Sequence, residues 1–159
     1  MLKIAPATST DVEDIRLFAQ AVYDTLMPDA RQRQRFLERV YAPASLLRSV
    51  ENSGLALVVA RLDAQVVGLA QAGSPLLEEC TDRKELHRLL VLPAHMRHGI
   101  GSQMLQHLIA HYKTDARVRQ FFAYVPQADI VRQQFLRRNG FQHNPAEDRE
   151  GETYFVRPL

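Results

Sequence analysis

The sequence predicts an α/β domain built on a mixed central sheet. Three observations carry that prediction. Residues 55–61 form an apolar run, and after Asp63-Ala64 a second run covers 65–72. Strands joined by two residues form an antiparallel hairpin. Glu85 to Leu92 is a further apolar-rich run, and a short basic loop leads from it into a helical pattern over 99–113. Arg119 to Val125 is a β-rich run closed by Pro126. Strand, helix and strand in that order make a right-handed crossover with parallel strands. A hairpin beside a parallel pair makes the sheet mixed.

The elements follow in order. Leu2 to Pro6 reads as a short strand. Thr10-x-x-Glu13 reads as a capping box. Behind it Val12, Ile15, Phe18, Ala19, Val22 and Leu26 keep helical spacing over 11–27, and Pro28 ends the run. Ala30 to Tyr41 is a second helix with Phe36, Leu37 and Val40 on its apolar side. Pro43 opens a third, which runs through Leu46, Leu47 and Val50 to Asn52-Ser53-Gly54. Gly73 to Lys84 is a polar loop. The helix over 99–113 puts Ile100, Met104, Leu105, Leu108 and Ile109 on one face. Ala128 to Asn139 is the last helix, with Ile130, Val131, Phe135 and Leu136 expected inward and Gly140 placed for a left-handed cap. Thr153 to Arg157 is the final strand.

With 159 residues, 46% hydrophobic and 24% charged, the chain reads as one domain over 1–159. The net charge of +2 demands neither nucleic acid nor an acidic membrane. Arg31, Arg33, Arg35 and Arg39 cluster on the second helix, but its apolar side makes them a solvated face. A single cysteine, Cys80, excludes an internal disulfide. Met-Leu-Lys-Ile lacks a signal-peptide core, and no apolar run reaches a membrane-spanning length. A cytoplasmic location is the expectation.

The loop before the central helix, Pro93-Ala94-His95-Met96-Arg97-His98-Gly99-Ile100-Gly101, favours an anion. The first N–H groups of a helix lack internal partners, and the helix dipole adds positive potential there. Glycines admit a bulky group close to the backbone. Arg97, His95 and His98 add positive or titratable charge, so a phosphate or pyrophosphate is the natural guest. A P-loop is excluded because no Gly-Lys-Ser/Thr follows. The dinucleotide fingerprint is excluded because Met104 stands where its third glycine belongs.

Gly99-Ile100-Gly101 resembles motif A of the GNAT acyltransferase superfamily, Arg/Gln-x-x-Gly-x-Gly/Ala. Met96 stands at the first position, with Arg97 one place late. Glu85 to Pro93 is similar to that family's fourth strand. The last helix resembles motif B: Phe135, Gly140 and Phe141 match in spacing, while Asp129, Arg132 and Leu136 replace Asn, Ala and Tyr. The element order matches over essentially the whole chain.

The resemblance implies acetyl-CoA as cofactor. Its pyrophosphate would rest on Met96, Arg97, His98, Gly99, Ile100, Gly101 and Ser102. Backbone groups of Leu89, Leu90 and Val91 would pair with the pantetheine arm, on a strand that splays from its neighbour. Asp129, Phe135 and Arg138 would complete the cofactor contacts from the last helix. A homodimer is also implied.

The chemistry needs a base. A primary amine has a pKa of about 10.4, so roughly a thousandth is nucleophilic at neutral pH, a cost on the order of 4 kcal/mol. Glu85 and His87 are two apart on a strand and share a face. Glu85 sits where the family commonly places a carboxylate acting through water, and His87 is the rival. The family's acid is the Tyr replaced here by Leu136, and Tyr124 is the substitute. A thiol is a modest leaving group, so the acid matters less than the base. His107 and His111 are one helical turn apart, but without a third ligand they read as a solvent-facing pair rather than a metal site.

The expected function is acetyl transfer from acetyl-CoA to a small primary amine, such as a polyamine or an amino-acid derivative. Glu78, Glu79, Asp82 and Asp24 could attract a polycation. A protein N-terminus or lysine is an allowed acceptor. A non-catalytic acyl-CoA-binding domain is the alternative of a different class.

Overall fold

The computed structural model describes residues 1–159. Strands β1 (Leu2–Pro6), β2 (Leu55–Leu62), β3 (Gln65–Gly73), β4 (Arg83–Val91), β5 (Gln120–Pro126), β6 (Gln142–His143) and β7 (Glu152–Pro158) alternate with five α-helices. These are α1 (Val12–Leu26), α2 (Ala30–Val40), α3 (Pro43–Glu51), α4 (Ile100–Lys113) and α5 (Ile130–Arg138). The sheet is seven-stranded and mixed, in the order β1-β2-β3-β4-β5-β7-β6. β4 and β5 are parallel, as the crossover requires, and the β1–β2 and β5–β7 pairs are antiparallel. The chain divides into two compact units, Met1–Gln71 with Arg88–Met104, and Ala72–His87 with Leu105–Leu159.

In the first unit β1 pairs with β2 from Leu2↔Leu62 to Pro6↔Val58. β2 and β3 are sheet neighbours joined by Asp63 and Ala64, and Asp63 takes the left-handed backbone (φ 55°) that the tight turn needs. Helix α1 buries Ile15, Phe18, Ala19 and Val22, one helical stripe. Leu26 closes the expected stripe but is exposed. The start of α1 also differs from expectation. A 3₁₀ turn, Ser9–Asp11, precedes it, and the cap is Thr8 with Asp11 rather than Thr10 with Glu13. Asp11 accepts from the Thr8 N–H at 2.7 Å and from Arg61 at 2.6 Å. Burial raises the Asp11 pKa, but those hydrogen bonds outweigh it and the net shift is downward. Gly68 lies against Met104: a Cβ there would stand 2.8 Å from the Met104 Cε.

In the second unit β5 and β7 pair along their whole lengths, from Gln120↔Pro158 to Pro126↔Glu152. Phe121, Phe122, Phe141, Tyr154 and Phe155 fill its core with Leu105, Leu108 and Ile109. Helix α5 starts at Ile130, later than the spacing suggested, because Asp129 caps it through the Arg132 N–H at 3.0 Å. The expected inward face is corrected as well. Ile130 and Val131 are exposed and Phe135 half-buried; Leu136 is buried as expected, with Gln133 before it and the cap residue Asn139 after it. The apolar pair lies in the first turn, while the packed stripe repeats every three residues from Gln133. Gly140 takes φ 86°, and the Phe141 N–H returns to the Leu136 carbonyl at 3.0 Å, the left-handed cap expected there. The two-residue strand β6 had no signal of its own in the sequence. It exists through pairing with β7.

Candidate active site

The anion loop belongs to the first unit. After β4 the Leu92 N–H bonds the Val67 carbonyl at 2.9 Å, and Pro93–His95 makes one 3₁₀ turn. Arg97 (φ 63°) and Gly99 (φ 79°) then take left-handed backbone. At Gly99 an added Cβ would meet only the Gln103 Nε2, at 3.9 Å, so backbone conformation rather than crowding calls for glycine. The first bond into α4 runs from the Gln103 N–H to the Gly99 carbonyl at 3.0 Å. The amides of Ile100, Gly101 and Ser102 make no hydrogen bond within the chain. Three free donors at the positive end of a 14-residue helix form an oxyanion cradle. Met96, Arg97 and His98 are exposed around it. The His98 Nδ1 lies 3.3 Å from the His95 carbonyl. A carbonyl only accepts, so Nδ1 carries the proton.

The second unit holds the candidate base. β4 and β5 pair only at Arg83↔Gln120, Lys84↔Phe121 and Glu85↔Phe122. β4 continues to Val91, so its backbone beyond Glu85 takes no part in the β5 ladder. Glu85, the last paired residue, is 6% exposed. Its Oε2 accepts the Leu76 N–H at 2.9 Å, and its Oε1 has no partner in the chain. The His87 Nε2 lies 3.0 Å from the Ser74 carbonyl, so Nε2 donates and a neutral ring keeps its lone pair on Nδ1. Both side chains therefore fasten the segment between β3 and β4.

Tyr124, on β5, packs edge-on against Phe122 and Tyr154, with the Arg149 guanidinium 3.6 Å above its ring. Its hydroxyl donates to the Glu147 carbonyl at 3.4 Å. Burial raises its pKa, Arg149 lowers it, and Glu147, Glu78 and Glu85 raise it, so the net shift is upward and the phenol stays protonated at neutral pH. Arg83 donates to the Tyr154 hydroxyl at 3.1 Å and pairs with Glu78 at 2.6 Å.

A free strand edge leading into a helix N-terminus with unpaired amides suits a long ligand with amide groups and a pyrophosphate. The acetyltransferase (GNAT) family model matches residues 19–141. The chain belongs to that family. This GNAT protein is an acetyl-CoA-dependent N-acetyltransferase, and acetyl-CoA is its cofactor. No curated protein sequence matches it. Its fold is that of many solved structures. The PaiA N-acetyltransferase of Thermoplasma acidophilum, in complex with coenzyme A, is 18% identical with TM-score 0.82, covering 100% of this chain and 99% of that one. An acetyltransferase of Thermus thermophilus is 21% identical with TM-score 0.75, covering 100% and 97%. The ribosomal-protein-S18-alanine N-acetyltransferase of Escherichia coli is 16% identical with TM-score 0.69, covering 100% and 94%.

On α5 the motif B positions fall into different environments. Asp129 caps its own helix and lies 3.6 Å from the Arg132 Nε. Phe135 is half-buried and Arg138 exposed. Leu136, where the GNAT motif has Tyr, is 1% exposed and part of the core. Tyr124, on β5, has a titration that feels the Glu85 carboxylate.

Sequence reasoning missed the partners that hold the candidate base. The Leu76 amide and the Ser74 carbonyl are backbone groups of a polar loop, which no residue type announces. It also passed over Arg88, whose Nε donates to the Gln71 Oε1 at 2.9 Å. A signal existed there: each is a polar residue inside an apolar strand run.

Proposed function

We propose that this GNAT enzyme acetylates the primary amine of a small molecule, with Glu85 as the base acting through a water molecule. The observation that carries this reading is the position of Glu85. It is the last residue of the β4–β5 ladder, it is buried, and one carboxylate oxygen has no partner. A carboxylate fixed through one oxygen and free at the other can take a proton without rotating.

In this reading the Ile100, Gly101 and Ser102 amides hold the pyrophosphate, with Met96, Arg97 and His98 around it. Backbone groups of Leu89, Leu90 and Val91 pair with the pantetheine arm. An N–H of Leu90 or Val91 polarises the thioester carbonyl. Bound there, the cofactor supplies the acetyl group and a thiolate leaving group. Tyr124, kept protonated, donates to the departing sulfur. The Nδ1 of His87 is the second lone pair on the strand and the rival base.

A polycation is the weaker acceptor. Glu78 is already paired with Arg83 at 2.6 Å, and Asp24 with Arg33 at 3.2 Å. The test is thiol release from acetyl-CoA against polyamines, amino acids and lysine peptides. We expect release with a small amine, its loss in Gly99→Glu, and a slow rate in Glu85→Gln. Acetyl-CoA binding with no release for any amine would move the assignment to an acyl-CoA-binding domain.

A further inference from the structure

Arg88, Gln71 and Tyr41 of the first unit form a second polar group, with donors left over. Arg88 lies with its guanidinium carbon 4.9 Å from the centre of the Tyr41 ring, and Tyr41 is 2% exposed. Two of its nitrogens, Nε and Nη2, donate to the Gln71 Oε1. An arginine offers only donors. The Gln71 amide must therefore turn its oxygen toward Arg88 and its NH₂ group away. Gln71 is 8% exposed, and that NH₂ has no partner in the chain.

The charge of Arg88 is also uncompensated. Arg16, Arg33 and Arg61, the other half-buried arginines of this unit, each meet a carboxylate. Arg88 meets only a neutral amide and an aromatic face. Its Nη1 makes no hydrogen bond within the chain. A rigid, stacked fork with a second donor group beside it suits a planar carboxylate.

We infer that Arg88 and Gln71 bind a carboxylate of the acceptor, so that the preferred substrate is an amino acid or another amine bearing a carboxylate. This rests on the amine-acetyltransferase reading above. Arg88 lies on the stretch of β4 that takes no part in the β5 ladder. Gln71 orients the fork, and Tyr41 supports its face. A cofactor phosphate is the other source of an anion, and the α4 amides already offer it a place.

The test compares acids with their carboxamides on protein saturated with CoA. Binding of N-acetyl amino acids and N-acetyl amino-acid amides is measured by calorimetry, and kcat/KM for thiol release is measured with the matching free amines. We expect the carboxamides to bind at least tenfold more weakly and to be poorer substrates by a similar factor, mainly through KM. Arg88→Gln removes the preference. Gln71→Glu, which has the same shape and gives Arg88 an internal counterion, removes it as well without disturbing packing. Equal binding of acid and amide, no binding of any acid, or a preference that survives both substitutions overturns the inference. Preferential acid binding without acetylation of any amine leaves this carboxylate site standing and removes the small-amine reading instead.

Discussion

The Oε2 atom of Glu85 lies 2.9 Å from the backbone nitrogen of Leu76. One carboxylate thus fixes the segment between β3 and β4 with one oxygen and leaves the other without a partner, free for the proposed base role. The two roles separate by substitution. Glu85→Gln keeps an acceptor for the Leu76 N–H and loses the base. Thiol release should fall about 100-fold or more while the melting temperature holds. Glu85→Ala also strands the amide and should cost a further 1–2 kcal/mol or so in denaturant unfolding. Equal activity of Glu85→Gln and wild type would hand the role to His87, to be checked with His87→Ala.

Gly99 tests the anion loop. Its φ of 79° is strained for any residue with a Cβ, yet there is space for one. Gly99→Ala should therefore destabilise by about 1 kcal/mol through backbone strain and bind acetyl-CoA more weakly. Gly99→Glu should bind far more weakly still, since it brings a carboxylate to the cradle. Isothermal calorimetry separates the two substitutions.

Gly68 tests packing. An alanine there would overlap the Met104 Cε and come within 3.2 Å of the Ala60 Cβ. Met104 is fully buried, so its flexible end has little room to retreat. Gly68→Ala should cost about 1–3 kcal/mol. Met104→Ala in the same chain should recover part of that loss, measured as a double-mutant cycle.

Tyr112 carries a buried hydroxyl without a hydrogen-bond partner. Tyr112→Phe removes an unsatisfied group and should raise stability by about 1 kcal/mol. Burial pushes the phenol pKa up to about 12, above its ordinary 10. The unfolded chain therefore releases this proton first as pH rises. The stability linked to Tyr112 is intact below pH 10 and declines through the interval up to about 12. Urea midpoints across that range should fall more steeply for the wild type than for Tyr112→Phe.

The strands and helices were legible because burial leaves a periodic trace. The apolar runs at 55–61 and 65–72, the stripe from Ile15 to Val22 and the face from Ile100 to Ile109 all hold in the structure. The loop at Gly99 was legible because few residues accept its backbone angles. The helix ends were less so. Thr8 and Asp11 took the cap from Thr10 and Glu13 because Asp11 also binds Arg61, fifty residues away. Ile130 and Val131 looked like core and are exposed, since periodicity fixes a stripe but not where a short helix begins. In the candidate site, Glu85 and His87 were read from their spacing on one strand. Their backbone partners at Leu76 and Ser74 could not, because a peptide group has the same chemistry in every residue.

The β4–β5 ladder ends at Glu85↔Phe122, and this has a bearing on the protein's lifetime in the cell. A strand whose edge is left unpaired is an invitation to other chains. In the binding mode proposed above, the cofactor would act as a missing strand along that edge and deny them the template. A ligand at a hundred times its dissociation constant adds about 2.7 kcal/mol to the folded state. Abundance of this enzyme should then rise and fall with the supply of acetyl-CoA, through turnover of the empty form and without any change in its synthesis.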